Sequence, residues 1–261
     1  MCTILVWRAG VDRPDGRLSM TVLESEGGQG VLLTSPGGRS LLIGGGSDAT
    51  ALREAVSRRL PLLQRSLDWL IVGSSDSDSL AGLQGISEHL RLEAALVCGE
   101  RRPQALVNLQ AELAATGTRI EPAAAGQRFD LGGEASLEVL EVSEHGCLLL
   151  ARNGQASFML APGADPNALH TVLKDSPRLP VTAYVAAGSG HPAVNPPEWL
   201  EALSPRIVIL AGDPTVAAGN AALPQYAAAH AARLLDTLTY GWIRLETDGE
   251  RLWIWTERLV P

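Results

Sequence analysis

Residues 72–83 read Val-Gly-Ser-Ser-Asp-Ser-Asp-Ser-Leu-Ala-Gly-Leu, directly after the apolar run Trp69–Val72. Ser74, Ser75, Asp76, Ser77, Asp78 and Ser79 thus gather hydroxyls and carboxylates where a strand hands over to a helix. Loops at strand ends are where the scaffold of an α/β protein holds reactive groups. Two kinds of chemistry suit these residue types. Asp76 and Asp78, with Asp165 from later in the chain, could offer oxygen ligands to one hard cation such as Mg²⁺ or Ca²⁺. Alternatively, short polar side chains bond to each other and to nearby backbone, with Asp78 or Ser79 capping a helix that begins at Leu80. The second reading is preferred, because serine hydroxyls are weak neutral ligands and two bare carboxylates repel each other.

Other constellations are less specific. Gly44-Gly45-Gly46-Ser47-Asp48-Ala49 fits a G-x-G-x-x-A pattern before a helix, which would make a nucleotide-binding module of that turn. The strand before it follows a hairpin, however, and does not open a βαβ unit. Gly188-Ser189-Gly190-His191 lacks the G-x-S-x-G pattern of a nucleophile elbow and reads as a tight glycine turn. His89, His145, His170 and His230 are scattered without paired ligand spacing and read as surface or structural histidines. Trp242, Trp253 and Trp255 fall near the end of the chain. The last two share one strand face and read as packing residues, or else as a base-stacking or partner surface.

Composition narrows the class. A net charge of −8 repels nucleic-acid backbone at long range, so any such contact must come from a local patch. Arg58, Arg59 and Arg65, and Arg101 with Arg102, are read as solvated faces. The three cysteines, Cys2, Cys98 and Cys147, show no C-x-x-C spacing. Cys98 and Cys147 are expected to be buried free thiols, which fits a reducing compartment. No run approaches the length of a membrane span.

The elements that position these residues follow from periodicity. Strands are expected at Leu18–Leu23, Val31–Thr34 and Arg39–Ile43, the last two joined by Ser35-Pro36-Gly37-Gly38. A helix capped by Ser47 or Asp48 carries Leu52, Val56, Leu60 and Leu63. Then come strand Trp69–Val72, buried on both faces, helix Leu80–Leu90, strand Ala94–Cys98, and a helix from Pro103 to Gly117. The second half repeats the scheme: strands Leu137–Val142, Cys147–Ala151 and Ser157–Leu160, and a helix from Asp165 or Asn167 to Leu173. Strand Val181–Ala186, a short helix at Trp199–Leu203 and strand Ile207–Leu210 follow, then an Ala-rich helix Leu223–Leu238. A hairpin around Asp248-Gly249 closes the chain. Antiparallel strands followed by βα units, twice over, imply an α/β (α+β) four-layer αββα sandwich of two mixed sheets with outer helices. Residues 17–261 form that domain, and 1–16 read as a linker after an apolar stump.

Residues 18–46 read LSMTVLESEGGQGVLLTSPGGRSLLIGGG, and their Ser-Pro-Gly-Gly turn and Leu-Leu-Ile-x-Gly-Gly strand end match in register a family opening of the form VTFLDVGQGDAILIRTPGGKTILIDGG. On this stretch the chain resembles the metallo-β-lactamase-fold C-terminal domain of the ComEC family of bacterial competence DNA-uptake channel proteins. The resemblance is strong over residues 13–90 and weak after 100. It implies a metallo-β-lactamase-like sandwich that follows a membrane channel portion of the same protein, a soluble domain of a bacterial membrane protein. Intact relatives would be zinc- or manganese-dependent nucleases or phosphodiesterases. The family's L-T-H-P-H-A-D-H-I-G-G-L puts its histidines on Ser74, Asp76 and Ser79 and its aspartate on Asp78. The aspartate of L-I-D-G-G falls on Gly44. That of L-L-T-G-D falls on Gly163, two places before Asp165, and G-H-H-G-S falls near His191. Two metals that lower the pKa of a shared water need imidazoles and carboxylates at these places. The expectation is therefore a catalytically degenerate accessory domain with no resident metal or small-molecule cofactor, contacting the channel portion and single-stranded DNA or a partner. The alternatives are an active nuclease with an oxygen-rich metal site and a nucleotide-binding module.

Overall fold

The computed structural model describes residues 15–24, 29–61, 64–212 and 214–259. The expected linker and apolar stump, with Cys2, fall almost wholly outside these residues, as does Leu63. One mixed sheet has eight strands in the order β15-β14-β1-β2-β3-β4-β5-β6. They are β1 Leu18–Val22, β2 Val31–Thr34, β3 Ser40–Ile43, β4 Ser66–Val72, β5 Arg91–Val97, β6 Arg119–Pro122, β14 Ile243–Thr247 and β15 Leu252–Thr256. The other sheet has seven, in the order β13-β12-β11-β10-β9-β8-β7. Its strands are β7 Arg128–Gly132, β8 Ala135–Val142, β9 Cys147–Asn153, β10 Ala156–Leu160, β11 Ala183–Val185, β12 Ile207–Leu210 and β13 Arg233–Asp236. β3 to β6 run parallel, as do β10 to β13, and the remaining pairs are antiparallel. The helices are α1 Ala49–Ser57, α2 Ser77–Ala81, α3 Gln104–Ala115, α4 Pro166–Asp175, α5 Pro197–Leu203, α6 Pro214–Ala218, α7 Ala222–His230 and α8 Thr237–Tyr240.

Alternation along the strands builds three apolar layers. Leu41 and Ile43 face inward with Met20, Ile71 and Leu96, and meet Leu137, Leu149, Phe158, Val185 and Ile209 of the second sheet. Leu42, between them, faces outward with Leu32, Leu70 and Val97, onto Leu52 and Val56 of α1 and Leu106, Leu109 and Leu113 of α3. Leu148, Leu150, Met159 and Val208 face the opposite way, onto Leu169, Val172, Trp199, Leu200 and Leu203 of α4 and α5. Period-two strands and 3.6-period helices thus fill one four-layer αββα sandwich.

Local chemistry sets the boundaries. Gly38 N–H donates to Ser35 O at 2.9 Å and closes the β2–β3 hairpin. Asp48 accepts from Thr50 and Ala51 N–H at 2.7 and 3.0 Å and starts α1. Two expectations change, and two strands go unanticipated. The helix over Leu80–Leu90 is instead α2 followed by a 3₁₀ turn at Ile86–Glu88, because Gly82 lies against the Gly46 backbone and Gly85 takes φ 68. The helix over Leu223–Leu238 stops at His230, where Ala231 turns left-handed at φ 51, and the chain re-enters the sheet as β13. β6 and β7 carry too many charged and small residues to show an apolar alternation.

The cysteine expectation is also corrected. Cys98, just after β5, and Cys147, opening β9, form a disulfide with Cα atoms 5.5 Å apart. Both are fully buried between the sheets. C-x-x-C spacing is not needed when two facing sheets juxtapose residues 49 positions apart. The reducing-compartment reading loses its basis, since such crosslinks belong to oxidising environments.

Candidate functional site

The C-terminal ends of the parallel strands of both sheets converge on one edge, the usual place for a site in this class of fold. From the first sheet come Gly44 after β3, Gly73–Asp76 after β4 and Cys98–Arg102 after β5. The second sheet contributes Ala161–Asp165 after β10, Ala186–Gly190 after β11 and the β8–β9 turn Ser143–Gly146. The seam is knitted by backbone. Ser74 bridges Gly146 as an isolated β-pair, Ser75 N–H donates to His145 O at 2.7 Å, and Cys147 N–H donates to Pro162 O at 3.0 Å. Gln29 Nε2 reaches across to Ala186 O.

The polar loop bonds to itself. Ser74 Oγ donates to Asp76 Oδ2 at 3.0 Å and accepts from Asp76 N–H at 3.1 Å. Ser75 Oγ donates to His145 O at 3.1 Å. His145 Nδ1 lies 3.3 Å from Asp76 Oδ1. The resulting order is hydroxyl, carboxylate, imidazole. A serine nucleophile needs its base between hydroxyl and carboxylate; here the carboxylate is in the middle, and Ser74 is buried.

Four of the expected positions meet. Gly163, at φ 63, backs onto Ser74, so that a Cβ there would lie 2.9 Å from Ser74 Oγ and 2.6 Å from His145 O. Gly44 N–H donates to Ile71 O at 2.9 Å and sits beside Gly73. Asp76 completes the group. The other four serve local structure. Asp78 is exposed in the first turn of α2, with Ser77 Oγ 3.4 Å from its carboxylate. Asp76, not Asp78 or Ser79, holds the cap position, because the helix starts at Ser77. The Ser79 carbonyl abuts Gly45. Asp165 caps α4 through Ala168 N–H at 2.9 Å. His191 Nδ1 accepts from Ala193 N–H at 3.2 Å and caps a 3₁₀ turn.

One residue of the cluster, His145, is not legible as such in the sequence. Its signal is positional: it sits in a tight turn between two strands that end on this edge, facing the Ser-Asp loop. Behind it lies a buried brace. Tyr184 Oη donates to Asn195 Oδ1 at 2.7 Å and accepts from Ala187 N–H at 3.1 Å, while Asn195 Nδ2 donates to Ala187 O and His191 O. Burial pushes the Tyr184 phenol well above the ordinary tyrosine range. This brace fixes the Ala187–Asn195 loop.

The donor set decides what can be held. Among the described residues, no three His, Cys, Asp or Glu side chains gather as a metal-holding group. One carboxylate, one imidazole and one buried hydroxyl do not fit a two-metal centre, and at Gly163 no bridging carboxylate has room. The turn after β3 is unsuited to a pyrophosphate, because Gly44–Gly46 are buried under α2 and Asp48 already occupies the N–H groups opening α1. A cavity of about 470 Å³ lies farther along, lined by Ser189, Ala211, Gly212, Asp236 and Leu238.

Neither a protein-family model nor a curated protein sequence matches the chain. Solved structures do. CmlA, a diiron β-hydroxylase from Streptomyces venezuelae, superposes with TM-score 0.58 at 13% identity, covering 88% of this chain and 54% of CmlA. The chain therefore spans about half of CmlA's length. Zn²⁺-bound PqqB from Methylobacterium extorquens superposes with TM-score 0.54 at 10% identity, covering 84% of this chain and 97% of PqqB. No helix among the described residues is long and apolar enough to cross a membrane. Two mixed sheets face to face with helices outside, an arrangement shared with both proteins, give this chain the metallo-β-lactamase fold.

Proposed function

We propose that this chain is a catalytically degenerate metallo-β-lactamase-fold domain of a ComEC-type DNA-internalisation protein, serving as an accessory domain that contacts single-stranded DNA or a partner beside the channel. One observation supports it above others. The loop that holds three histidines in the family is here a self-bonded Ser74–Asp76–His145 cluster, with Gly163 packed where the bridging carboxylate would stand. The ComEC assignment itself draws on the residue 18–46 motif. The test is cleavage of single-stranded DNA with Mn²⁺ or Zn²⁺. This reading expects no metal-dependent cleavage by the wild type above that of the Asp76→Ala variant. Cleavage that Asp76→Ala or His145→Ala abolishes would overturn it.

The 3.3 Å approach of His145 to Asp76 favours a second reading, a hydrolase with an atypical metal site. On that reading Asp76 and His145 would be the residues that hold a single ion, and the ion would supply an activated water. Asp78 would then be dispensable, since it is exposed and bonded only within its own helix turn.

A further inference from the structure

Each sheet ends on two outer strands, and three of the four carry features that discourage pairing with another strand. β6 has Arg119 and Glu121 and ends on Pro122. β7 has Arg128 and Asp130 and a register shift between Asp130 and Gly132. β13 begins with Arg233 and ends with Asp236. β15 has none of these. It reads Leu-Trp-Ile-Trp-Thr, without charge or proline, and pairs with β14 in unbroken register from Leu252 to Thr256. Beyond it, Glu257 N–H donates to Trp242 O at 3.1 Å and continues the ladder. Alternation then turns the backbone N–H and C=O groups of Leu252, Ile254 and Thr256 away from β14, toward the open side. Leu252 and Ile254 lean on the inter-sheet core, while Trp253 and Trp255 share the outer face, Trp255 being 52% exposed.

The flanks of this strand identify what would pair with it. We propose that β15 pairs antiparallel with β15 of a second copy of this chain, about a two-fold axis at Ile254. The segment Arg251-Leu-Trp-Ile-Trp-Thr-Glu257 is complementary to itself in that register. Arg251 faces Glu257 of the second copy, Trp253 faces Trp255, and Leu252 faces Thr256. Directly opposed residues share a sheet face, so the outer face carries a continuous ladder of ion pair, tryptophan pair, tryptophan pair, ion pair. Arg17 already lies over the Trp253 ring at 4.1 Å and orients it. Glu250 would face Arg258, but Arg258 is held by Glu24 at 2.7 Å; Glu257, whose carboxylate lies against Gly241 and whose charge acts on Arg59, turns across the edge to meet Arg251 of the second copy. The net charge of −8 on each copy opposes association at long range, but salt screens it beyond about 8 Å at physiological strength.

The experiment is sedimentation velocity of the full chain over roughly 1–100 µM at physiological salt, a range that brackets micromolar affinities. The wild type is expected to shift from monomer to dimer across that range. Arg251→Glu alone and Glu257→Arg alone each set like charges opposite each other twice per dimer and should weaken it about tenfold or more. The double swap should restore it. Backbone amides of Leu252, Ile254 and Thr256 should gain hydrogen-exchange protection as concentration rises, and circular dichroism should be unchanged in all variants. A wild type that stays monomeric overturns the proposal. So does a dimer indifferent to both single swaps, and so does a double swap that leaves the dimer as weak as the singles.

Discussion

Asp76 holds the candidate site together, taking a hydroxyl on one oxygen and standing 3.3 Å from an imidazole on the other. Asp76 itself is exposed, but the loops behind it pack backbone against backbone at Gly73, Gly146 and Gly163, which leaves little room for added side chains there. Gly163→Asp, which adds a carboxylate to this edge, forces a Cβ at φ 63 into Ser74 and the His145 carbonyl. Urea denaturation should show it destabilised by about 2–4 kcal/mol, with no gain in Zn²⁺ uptake. A second residue-scale prediction concerns acid. The Ala51 and Thr50 N–H groups hold the Asp48 carboxyl below the usual carboxylate range. A carboxylate depressed on folding contributes stability that is full above its unfolded value and is lost as pH falls through the folded one. Asp48→Asn should therefore flatten the stability–pH curve below about pH 4 and leave its slope near pH 7 unchanged, as read from thermal melts.

At the scale of elements, the Cys98–Cys147 bond joins the end of β5, neighbour of the strand that carries Ser74, to the start of β9, just after His145. It closes a loop of 49 residues, so Cys98→Ala with Cys147→Ala should cost about 2–4 kcal/mol. For a chain of this size that lowers Tm by roughly 5–15 °C, read by calorimetry under non-reducing conditions. The buried brace gives a parallel test. Asn195→Ala strands the Tyr184 O–H donor and takes a partner from the Ala187 and His191 carbonyls and should destabilise by about 2–3 kcal/mol, whereas Tyr226→Phe, whose hydroxyl makes a long 3.4 Å contact to Pro205 O and interacts with Ser204, should cost under about 1 kcal/mol. Elements with strong periodicity or a plain cap were legible in the sequence: β1 to β5, α1 with Asp48, α3 with its Leu106-Leu109-Leu113 stripe, α4 with Asp165 and the closing hairpin. β13 was not, because Arg233–Asp236 continues the Ala-rich pattern of α7 and only the left-handed Ala231 separates them. The disulfide and the His145–Asp76 approach were not legible either. Each joins residues in different sheets, and sequence spacing carries no record of which loops will face each other.

For the whole molecule, the sandwich was readable from its repeated order of hairpins and βα units, and the two mixed sheets with outer helices agree with it. The function is carried by a much smaller set of atoms. A fold that supports metal chemistry elsewhere is not itself evidence of that chemistry, because the activity resides in the ligands and not in the layers. On the proposed function, this edge of the sandwich holds no pair of divalent ions. Elemental analysis after saturation with Zn²⁺ or Mn²⁺ and removal of excess metal tests it most directly. The expected content is well under one ion per chain, unchanged by Asp76→Ala. Two ions per chain, lost on Asp76→Ala or His145→Ala, would contradict it.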